Sequence, residues 1–300
     1  MKRVRISSNY DSSENLTKRL LYQFKTSESD TSHIEFVYDD TYDIIIFFNH
    51  VNINVKDDAI IYVFPHEPSW VGSHQSNFIN YPNATVFGFK NTIYHPNDVC
   101  VESVAHTYYG GRGPWMDKEE DWNYGKVSTH SPKKTKNISS VITKLNADSY
   151  TPEGCTYKLR YDLNQYLIDN TDKIDFYSGW GLMESPLKKM AVEEYRFSIA
   201  LENQFTKNWL SEKFYDSILY NTVPIYFGCT NIEEIYPEAG YFLFEDVTNH
   251  KQCLDFIHYV DENAEELYEK MLPEVLKIKQ RYFDENNLLK KINNLCKNGI

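Results

Sequence analysis

Short apolar runs recur along the first half of the chain, separated by polar and charged segments. Arg3–Ser7 reads as a strand, and Glu14–Phe24 places its apolar residues at helical spacing. Four further runs rich in Ile, Val and Phe predict strands: Ile34–Tyr38, Ile44–Phe48, Ile60–Phe64 and Ala84–Phe89. Continuous apolar strands are typical of a parallel sheet covered on both faces. The first half therefore predicts an α/β layer structure.

The second half again alternates strands with helices. Its predicted strands are Ile138–Ile142, Ile174–Tyr177, Phe197–Leu201 and Val223–Phe227. Its predicted helices are Tyr157–Ile168, Glu212–Tyr220, Lys251–Tyr259 and Ala264–Leu295. Strands separated by helices of these lengths predict crossover connections on a mostly parallel sheet.

A boundary between two domains is predicted near residue 132. The segment from Cys100 to Lys136 is rich in Gly, Pro and charged residues, which mark loops and linkers. A chain of 300 residues is also long for one core and comfortable for two. We expect an N-terminal domain over 1–131 and a C-terminal domain over 132–300, with the last helix packing back on the N-terminal domain.

Composition narrows the classes of partner. The net charge of −12 argues against nucleic acid as the main partner, because backbone binding needs a concentrated basic face. The longest apolar runs are too short to span a bilayer, and Met1-Lys2-Arg3 leads into a strand pattern rather than a secretion signal. The five cysteines are scattered, with no pair at metal-ligand spacing. We therefore expect a soluble cytoplasmic protein with reduced thiols.

One predicted strand of the second half ends in polar residues, and a well-capped helix follows it. The apolar run Phe197–Leu201 leads into Glu202-Asn203, and Ser211 is a good N-cap for a helix with Lys213 in its first turn. Helix N-termini at the carboxyl ends of parallel strands offer free N–H groups to phosphates. The helix dipole disfavours a lysine there unless an anion reverses the local field. Lys213 is thus a candidate phosphate ligand, with an exposed surface lysine as the alternative.

Three short segments keep a recognisable spacing along this part of the chain: Tyr195-Arg-Phe, then Glu202-Asn203 and Ser211-Glu212-Lys213, then Asn221-Thr-Val-Pro224-Ile-Tyr-Phe-Gly228. Together they resemble the donor-binding signature of the α1,3-fucosyltransferase family, glycosyltransferase family 10. The resemblance implies a GT-B fold, with two Rossmann-like domains whose parallel sheets face a central cleft. It also implies an inverting transfer from a GDP-sugar held by the C-terminal domain.

By position, the resemblance implies six donor-binding residues: Arg160, Asn203, Trp209, Ser211, Glu212 and Lys213. Arg160 looks like the phosphate-binding arginine of the family, while Lys213 would meet the diphosphate and Glu212 the ribose or sugar hydroxyls. Trp209 stands where the family has a tyrosine, so one hydroxyl that could bond a phosphate is missing. No Asp-x-Asp pair occurs in the chain. We therefore expect no cofactor and no essential metal, with the leaving-group charge met by Arg160, Lys213 and backbone donors.

The candidate base follows the strand Ile60–Phe64. Glu67 lies between two prolines at the carboxyl end of that strand, and it falls where the family's proposed base lies. His66 is the alternative base. The non-catalytic alternative is that Glu67 is an ordinary loop glutamate beside a turn. Trp70 and His66 are candidates for the acceptor side, as is Arg112 in a glycine-rich loop.

These expectations predict an inverting glycosyltransferase that moves fucose from GDP-fucose to a hydroxyl of a glycan acceptor. Three alternatives stay open from the sequence. The first is a GT-B enzyme with another sugar nucleotide. The second is an epimerase or hydrolase of similar fold, and the third is a non-catalytic nucleotide- or glycan-binding module.

Overall fold

A computed structural model of the protein describes residues 1–8, 11–24, 30–48, 53–64, 81–88, 98–100, 124–142, 154–178, 185–286 and 288–298. Two compact units divide the chain. The first takes in Met1–His106, Asn123–Gly125 and Arg281–Ile300, and the second is built mainly on Lys126–Gln280.

Eleven strands and nine α-helices lie within the described residues. The strands are β1 (Lys2–Ser8), β2 (Ile34–Phe36), β3 (Ile44–Phe48), β4 (Ile60–Phe64), β5 (Thr85–Gly88), β6 (Asp98–Cys100), β7 (Lys136–Ile142), β8 (Ile174–Ser178), β9 (Tyr195–Thr206), β10 (Val223–Cys229) and β11 (Phe242–Leu243). The helices are α1 (Ser13–Phe24), α2 (Tyr124–Thr129), α3 (Tyr157–Asn170), α4 (Ser185–Val192), α5 (Glu212–Leu219), α6 (Ile232–Ile235), α7 (His250–Glu262), α8 (Ala264–Arg281) and α9 (Leu288–Asn298). None of these described helices combines the length and apolarity needed to cross a membrane.

The sheet of the first unit has six strands in the order β2-β1-β3-β4-β5-β6, all paired in parallel. All five residues of β3 are buried, as expected for a central strand with cover on both faces. One cluster of the core gathers eight buried residues: Val37, Tyr42, Ile45, Phe47, Ile61, Val63, Ala84 and Val86. Helix α1 packs on β1 and on α9 within this unit.

The C-terminal helix is the clearest local departure from the sequence prediction. One helix was predicted over Ala264–Leu295, but a π-helical turn at Tyr282–Asn286 separates α8 from α9. Tyr282 and Phe283 within this turn are buried. A continuous amphipathic pattern does not reveal such a turn, because the break serves tertiary packing and not local propensity.

The sheet of the second unit has five parallel strands in the order β11-β10-β9-β7-β8. The strand order reverses between the neighbours β7 and β9, because β8 lies on one side of β7 while β9, β10 and β11 follow on the other. Helix α3 leaves after β7 and α5 leaves after β9. Parallel α/β sheets bind ligands outside the carboxyl ends of their strands at such a reversal. The topology therefore brings the N-termini of α3 and α5 to the place where sheets of this kind bind ligands.

The two faces of this sheet carry different helices. On one face the ring of Phe214 in α5 packs on Tyr226 of β10, with 5.2 Å between ring centroids. On the other face Phe256 of α7 packs on Phe242 of β11, with centroids 5.3 Å apart. Strand β9 lies beside β10 with Ala200 level with Tyr226. Because side chains alternate along a strand, Glu202 shares the face that α5 covers.

Candidate functional site

The carboxyl end of β9 extends beyond the apolar run that predicted it. The strand was predicted over Phe197–Leu201, and it runs from Tyr195 to Thr206. The added residues pair with the segment that precedes α3: the N–H of Phe205 donates to the carbonyl of Gly154 at 2.7 Å. This pairing ties the N-terminus of α3 to the polar end of β9.

Thr156 is the residue that joins α3 to β9. Its N–H donates to the carbonyl of Asn203 at 3.2 Å, and its hydroxyl donates to the carbonyl of Glu202. The Thr156 side chain therefore makes no capping bond to α3. The Thr156 hydroxyl thus joins α3 to β9 and does not cap the helix.

Arg160 is buried in the second turn of α3, with 9% of its surface exposed. Its guanidinium carbon lies 5.5 Å from the centre of the Tyr157 ring, and its Nε finds no hydrogen-bond partner among the described residues. Burial lowers the pKa of Arg160, while the charges of Tyr157 and Glu202 oppose the shift. A guanidinium stays charged in proteins, so Arg160 is a buried cation with an unused donor. Such a group is suited to an anion.

Asn203 supplies an unused acceptor near the same place. Its Oδ1 is buried and finds no hydrogen-bond partner among the described residues, although only 9% of the residue is exposed. Buried side-chain oxygens without a partner are uncommon in folded proteins. The Asn203 amide is thus available to a ligand that brings a hydroxyl or an N–H group.

Helix α5 begins with the cap that the sequence predicted. Ser211 is extended, and its Oγ accepts from the N–H of Lys213 at 3.3 Å. The loop that leads to this cap is held by Asn208, whose N–H donates to Asn231 Oδ1 at 2.8 Å. In return, Asn231 Nδ2 donates to Asn208 Oδ1 at 2.9 Å. The first turn of α5 is therefore fixed at the carboxyl end of β9.

Glu202 lies under this helix start and is completely buried. Its Oε1 accepts from the N–H of Ser211 at 2.8 Å, and its Oε2 accepts from the Ser211 hydroxyl at 2.5 Å. Oε2 also lies 3.8 Å from the Lys213 ammonium. Burial raises the pKa of Glu202, while Lys213 and the two Ser211 bonds act against that rise.

Gly228 makes room for Glu202. The φ of Gly228 is +155°, and a Cβ added there would lie 2.3 Å from the Cβ and 2.4 Å from the Cγ of Glu202. The pairing of β9 with β10 shifts its register between Phe227 and Cys229, at this glycine. Any side chain at position 228 would thus displace the Glu202 carboxylate.

Lys213 is the second cation of the site. Its Nζ lies 3.0 Å from Glu212 Oε1 and 3.2 Å from Ser211 Oγ, and 23% of its side chain is exposed. Burial alone would lower the pKa of Lys213, but the carboxylates of Glu212 and Glu202 override it, and the pKa is raised. The ammonium is therefore charged at neutral pH. These two carboxylates offset the unfavourable dipole that the sequence identified at this position.

The sequence-predicted residues fall into two groups. Five donor-site residues, Arg160, Asn203, Ser211, Glu212 and Lys213, lie around the end of β9 and the starts of α3 and α5. Trp209 lies in the same loop with 2% of its surface exposed, and its carbonyl accepts from the Tyr226 hydroxyl at 3.2 Å. The remaining candidates, His66, Glu67, Trp70 and Arg112, lie outside the described residues.

Glu202 and Gly228 belong to the segments that carry the family resemblance, but no role was predicted for either from the sequence. A glutamate directly after the apolar run of a buried strand is a signal, because an unpaired carboxylate is costly to bury. Gly228, the last residue but one of β10, is a weaker signal by itself. Among the described residues, no group of three or more His, Cys, Asp or Glu side chains could hold a metal ion.

Comparison with known proteins assigns the sequence to a family. Residues 131–298 match the family described as "Glycosyltransferase family 10 (fucosyltransferase) C-term". A putative fucosyltransferase-like protein of Arabidopsis thaliana is 35% identical over 79 residues, which is 26% of this chain and 15% of that relative. The alpha-(1,3)-fucosyltransferase FucT of Helicobacter pylori is 26% identical over 134 residues, 41% of this chain and 28% of the relative. The aligned segments thus span less than a third of either relative's length.

A solved structure shares the fold over the whole chain. The crystal structure of an alpha1,3-fucosyltransferase covers 100% of this chain and 91% of its own, with a TM-score of 0.52 at 15% identity. Two α/β units with parallel sheets and this likeness define a protein of the GT-B class. Because the family model covers more than half of the sequence, the chain belongs to glycosyltransferase family 10, the fucosyltransferases. The resemblance seen in the sequence is confirmed.

Proposed function

We propose that the protein transfers fucose from GDP-fucose to a hydroxyl of a glycan acceptor, with inversion at the anomeric carbon. Family membership supports the reaction class. One observation carries the donor site: two cations, Arg160 and Lys213, lie at the starts of the two helices that flank the strand reversal of the second sheet. Arg160 keeps an unused donor there. A nucleoside diphosphate is the anion that this arrangement suits.

The proposed reaction is a single displacement. An acceptor hydroxyl attacks the anomeric carbon and loses its proton, and the bond from that carbon to the β-phosphate oxygen breaks. The electron pair leaves with the nucleoside diphosphate, whose developing charge is stabilised by Arg160, Lys213 and the N–H groups that begin α3 and α5. The free amide oxygen of Asn203 is available to a hydroxyl of the donor.

The proposed base is Glu67, with His66 as the alternative. This proposal rests on the sequence, where Glu67 follows a strand and stands between two prolines. Glu67→Gln is expected to reduce kcat by about a hundredfold or more, since a general base contributes on that scale, and to leave the Kd for GDP unchanged. Equal losses in both quantities would remove Glu67 from the role. A loss of kcat in His66→Gln alone would move the role to His66.

The donor is tested by thermal shift and calorimetry with GDP, UDP, ADP and their sugars. A ligand that binds only the native state raises the melting temperature, so a preference for guanosine nucleotides supports GDP-fucose. Lys213→Met is expected to weaken GDP binding at least about tenfold, the loss of one charge-assisted contact. Lys251→Met is the matched control, because Lys251 is an exposed helix lysine paired with Asp255 at 2.6 Å. Binding of UDP alone would indicate another sugar nucleotide.

Transfer itself is tested by incubating GDP-fucose with a mixed panel of oligosaccharides and analysing products by mass spectrometry and NMR. A new β-configured linkage from a β-linked donor would contradict inversion. Donor breakdown without any fucosylated product would favour the hydrolase or epimerase alternative.

We also propose that turnover needs no metal, because Arg160 and Lys213 supply the positive charge. Full activity after dialysis against EDTA is the expected result.

A further inference from the structure

The proposed diphosphate site contains two carboxylates that face the same ammonium and differ in burial. Glu212 lies 3.0 Å from Lys213 Nζ and starts α5, with 18% of its side chain exposed. Glu202 lies 3.8 Å from the same nitrogen and is completely buried. A completely buried carboxylate such as that of Glu202 cannot leave without breaking its packing.

Three residues hold the Glu202 side chain in place. The N–H and the hydroxyl of Ser211 both donate to its carboxylate, at 2.8 Å and 2.5 Å. Gly228 packs so closely that its missing Cβ would lie 2.3 Å from the Glu202 Cβ. The Tyr226 hydroxyl lies 3.4 Å from Oε1 on the remaining side. Glu202 is therefore a fixed part of the scaffold.

Burial raises the pKa of Glu202, but the hydrogen bonds around its carboxylate suit the ionised form. Ser211 Oγ accepts from the N–H of Lys213 and lies 3.2 Å from its Nζ, so the hydroxyl hydrogen is free to point at Glu202. Ser211 N also donates to Glu202. Both carboxylate oxygens are thus acceptors, and the ionised form satisfies every group around it.

We infer that Glu202 is the built-in counter-ion of the diphosphate site, a positioning residue that holds Lys213 when no anion is bound and limits how tightly the site retains the nucleotide. The inference rests on the proposed function. The Lys213 ammonium is mostly buried and needs an anion nearby, since unpaired buried charge is costly. When a diphosphate arrives, the carboxylate of Glu202 stays in place and its charge repels the incoming anion. The site is therefore kept below its maximal affinity, which favours release of the nucleotide product.

The test compares Glu202→Gln with wild type in calorimetry with GDP and with inorganic pyrophosphate. Gln keeps the shape, accepts from Ser211 N and can donate to Ser211 Oγ, but it carries no charge. We expect Glu202→Gln to bind both ligands at least about tenfold more tightly, because one unit of opposing charge at short range in a partly buried site is worth at least that much. Glu202→Asp retains the charge and is expected to bind with wild-type affinity. Slower product release should lower kcat and KM together.

The matched control is Tyr226→Phe, which removes a neutral hydroxyl at the same depth. It should change the melting temperature and leave the Kd for pyrophosphate unchanged. A purely structural role for Glu202 predicts the same pattern for Glu202→Gln: a lower melting temperature with unchanged Kd and KM. That result, or weaker binding by Glu202→Gln, overturns the inference.

Folding of the variant is itself informative. Should Glu202→Gln unfold in dilute buffer, 10 mM pyrophosphate is expected to restore its circular dichroism, while sodium chloride of equal ionic strength does not. Absence of rescue overturns the inference. Wild type that binds neither GDP nor pyrophosphate would remove the proposed function, and this inference with it. Wild type that binds GDP beside an unchanged Glu202→Gln would remove the inference alone.

Discussion

Replacement of Gly228 by alanine tests the close approach on which the site is built. The new Cβ would lie 2.3 Å and 2.4 Å from the Cβ and Cγ of Glu202, and 3.1 Å from the Tyr226 hydroxyl. The φ of +155° is also strained for any residue with a side chain. Strain of this kind costs about 1–3 kcal/mol, and overpacking a tight interior costs about 1–3 kcal/mol more. We expect Gly228→Ala to lower the free energy of unfolding by about 2–6 kcal/mol.

Gly154→Ala is the matched control. It shares the backbone strain of a positive φ but does not overpack the stem of Glu202. The φ of Gly154 is +79°, so alanine is strained there as well. Its Cβ would meet the far end of the Gln204 side chain, Nε2, at 2.6 Å and the Phe205 carbonyl at 3.2 Å, whereas the Cβ added at position 228 meets the Cβ and Cγ of Glu202. The difference between the two variants therefore measures overpacking against Glu202.

Urea denaturation followed by fluorescence and by far-UV circular dichroism supplies both free energies. A shift of the midpoint at constant slope reports a change in stability rather than in compactness. Gly228→Ala is expected to cost at least about 1 kcal/mol more than Gly154→Ala. Equal costs would show that Glu202 yields freely to a neighbour. The reasoning that treats its carboxylate as fixed would then be refuted.

Three further predictions concern groups away from the phosphate contacts. Lys134→Met should cost about 2–4 kcal/mol of stability in urea, because Lys134 Nζ lies within hydrogen-bond distance of four oxygens, the nearest at 2.7 Å, and methionine bonds none of them. Iodoacetamide at pH 8 should modify Cys155 before Cys229 and Cys253, as read by mass spectrometry, because burial raises the pKa of both buried thiols to about 11. Burial lowers the pKa of Lys279 from its usual value of 10.5 to about 8 in the folded chain. Between these two pH values the unfolded chain therefore binds more protons at Lys279 than the folded chain does. Stability should therefore rise with pH across that window, and the rise should be smaller in Lys279→Met.

The N-cap of α5 and two strands of the first sheet were predictable from the sequence alone. Ser211 caps α5 as predicted, because N-cap preference acts through the residue's own backbone and needs no distant partner. The apolar runs likewise placed Ile44–Phe48 and Ile60–Phe64 in strands with the predicted bounds. Such runs can be read locally, since continuous apolar residues must be covered on both faces of a sheet.

Helix and strand ends depended on distant contacts. Strand β9 continues past Leu201 because the segment before α3 pairs with it, for example through Phe205 and Gly154. Those partners are about fifty residues apart in the sequence, and no periodicity within either segment announces the pairing. The π-helical turn at Tyr282–Asn286 is a second case, in which the local pattern continues and the backbone does not.

The sequence by itself identified Arg160 and Lys213 as candidate phosphate ligands, because both carry positive charge and stand near predicted helix starts. Only the tertiary structure decided that these groups meet. The reversal of strand order between β7 and β9 brings the starts of α3 and α5 together. It also decided the state of Glu202, whose burial depends on Ser211 and on the absent side chain of Gly228. The charge of a side chain can be read from the sequence. Its desolvation depends on the residues packed around it, which come together only in the folded chain.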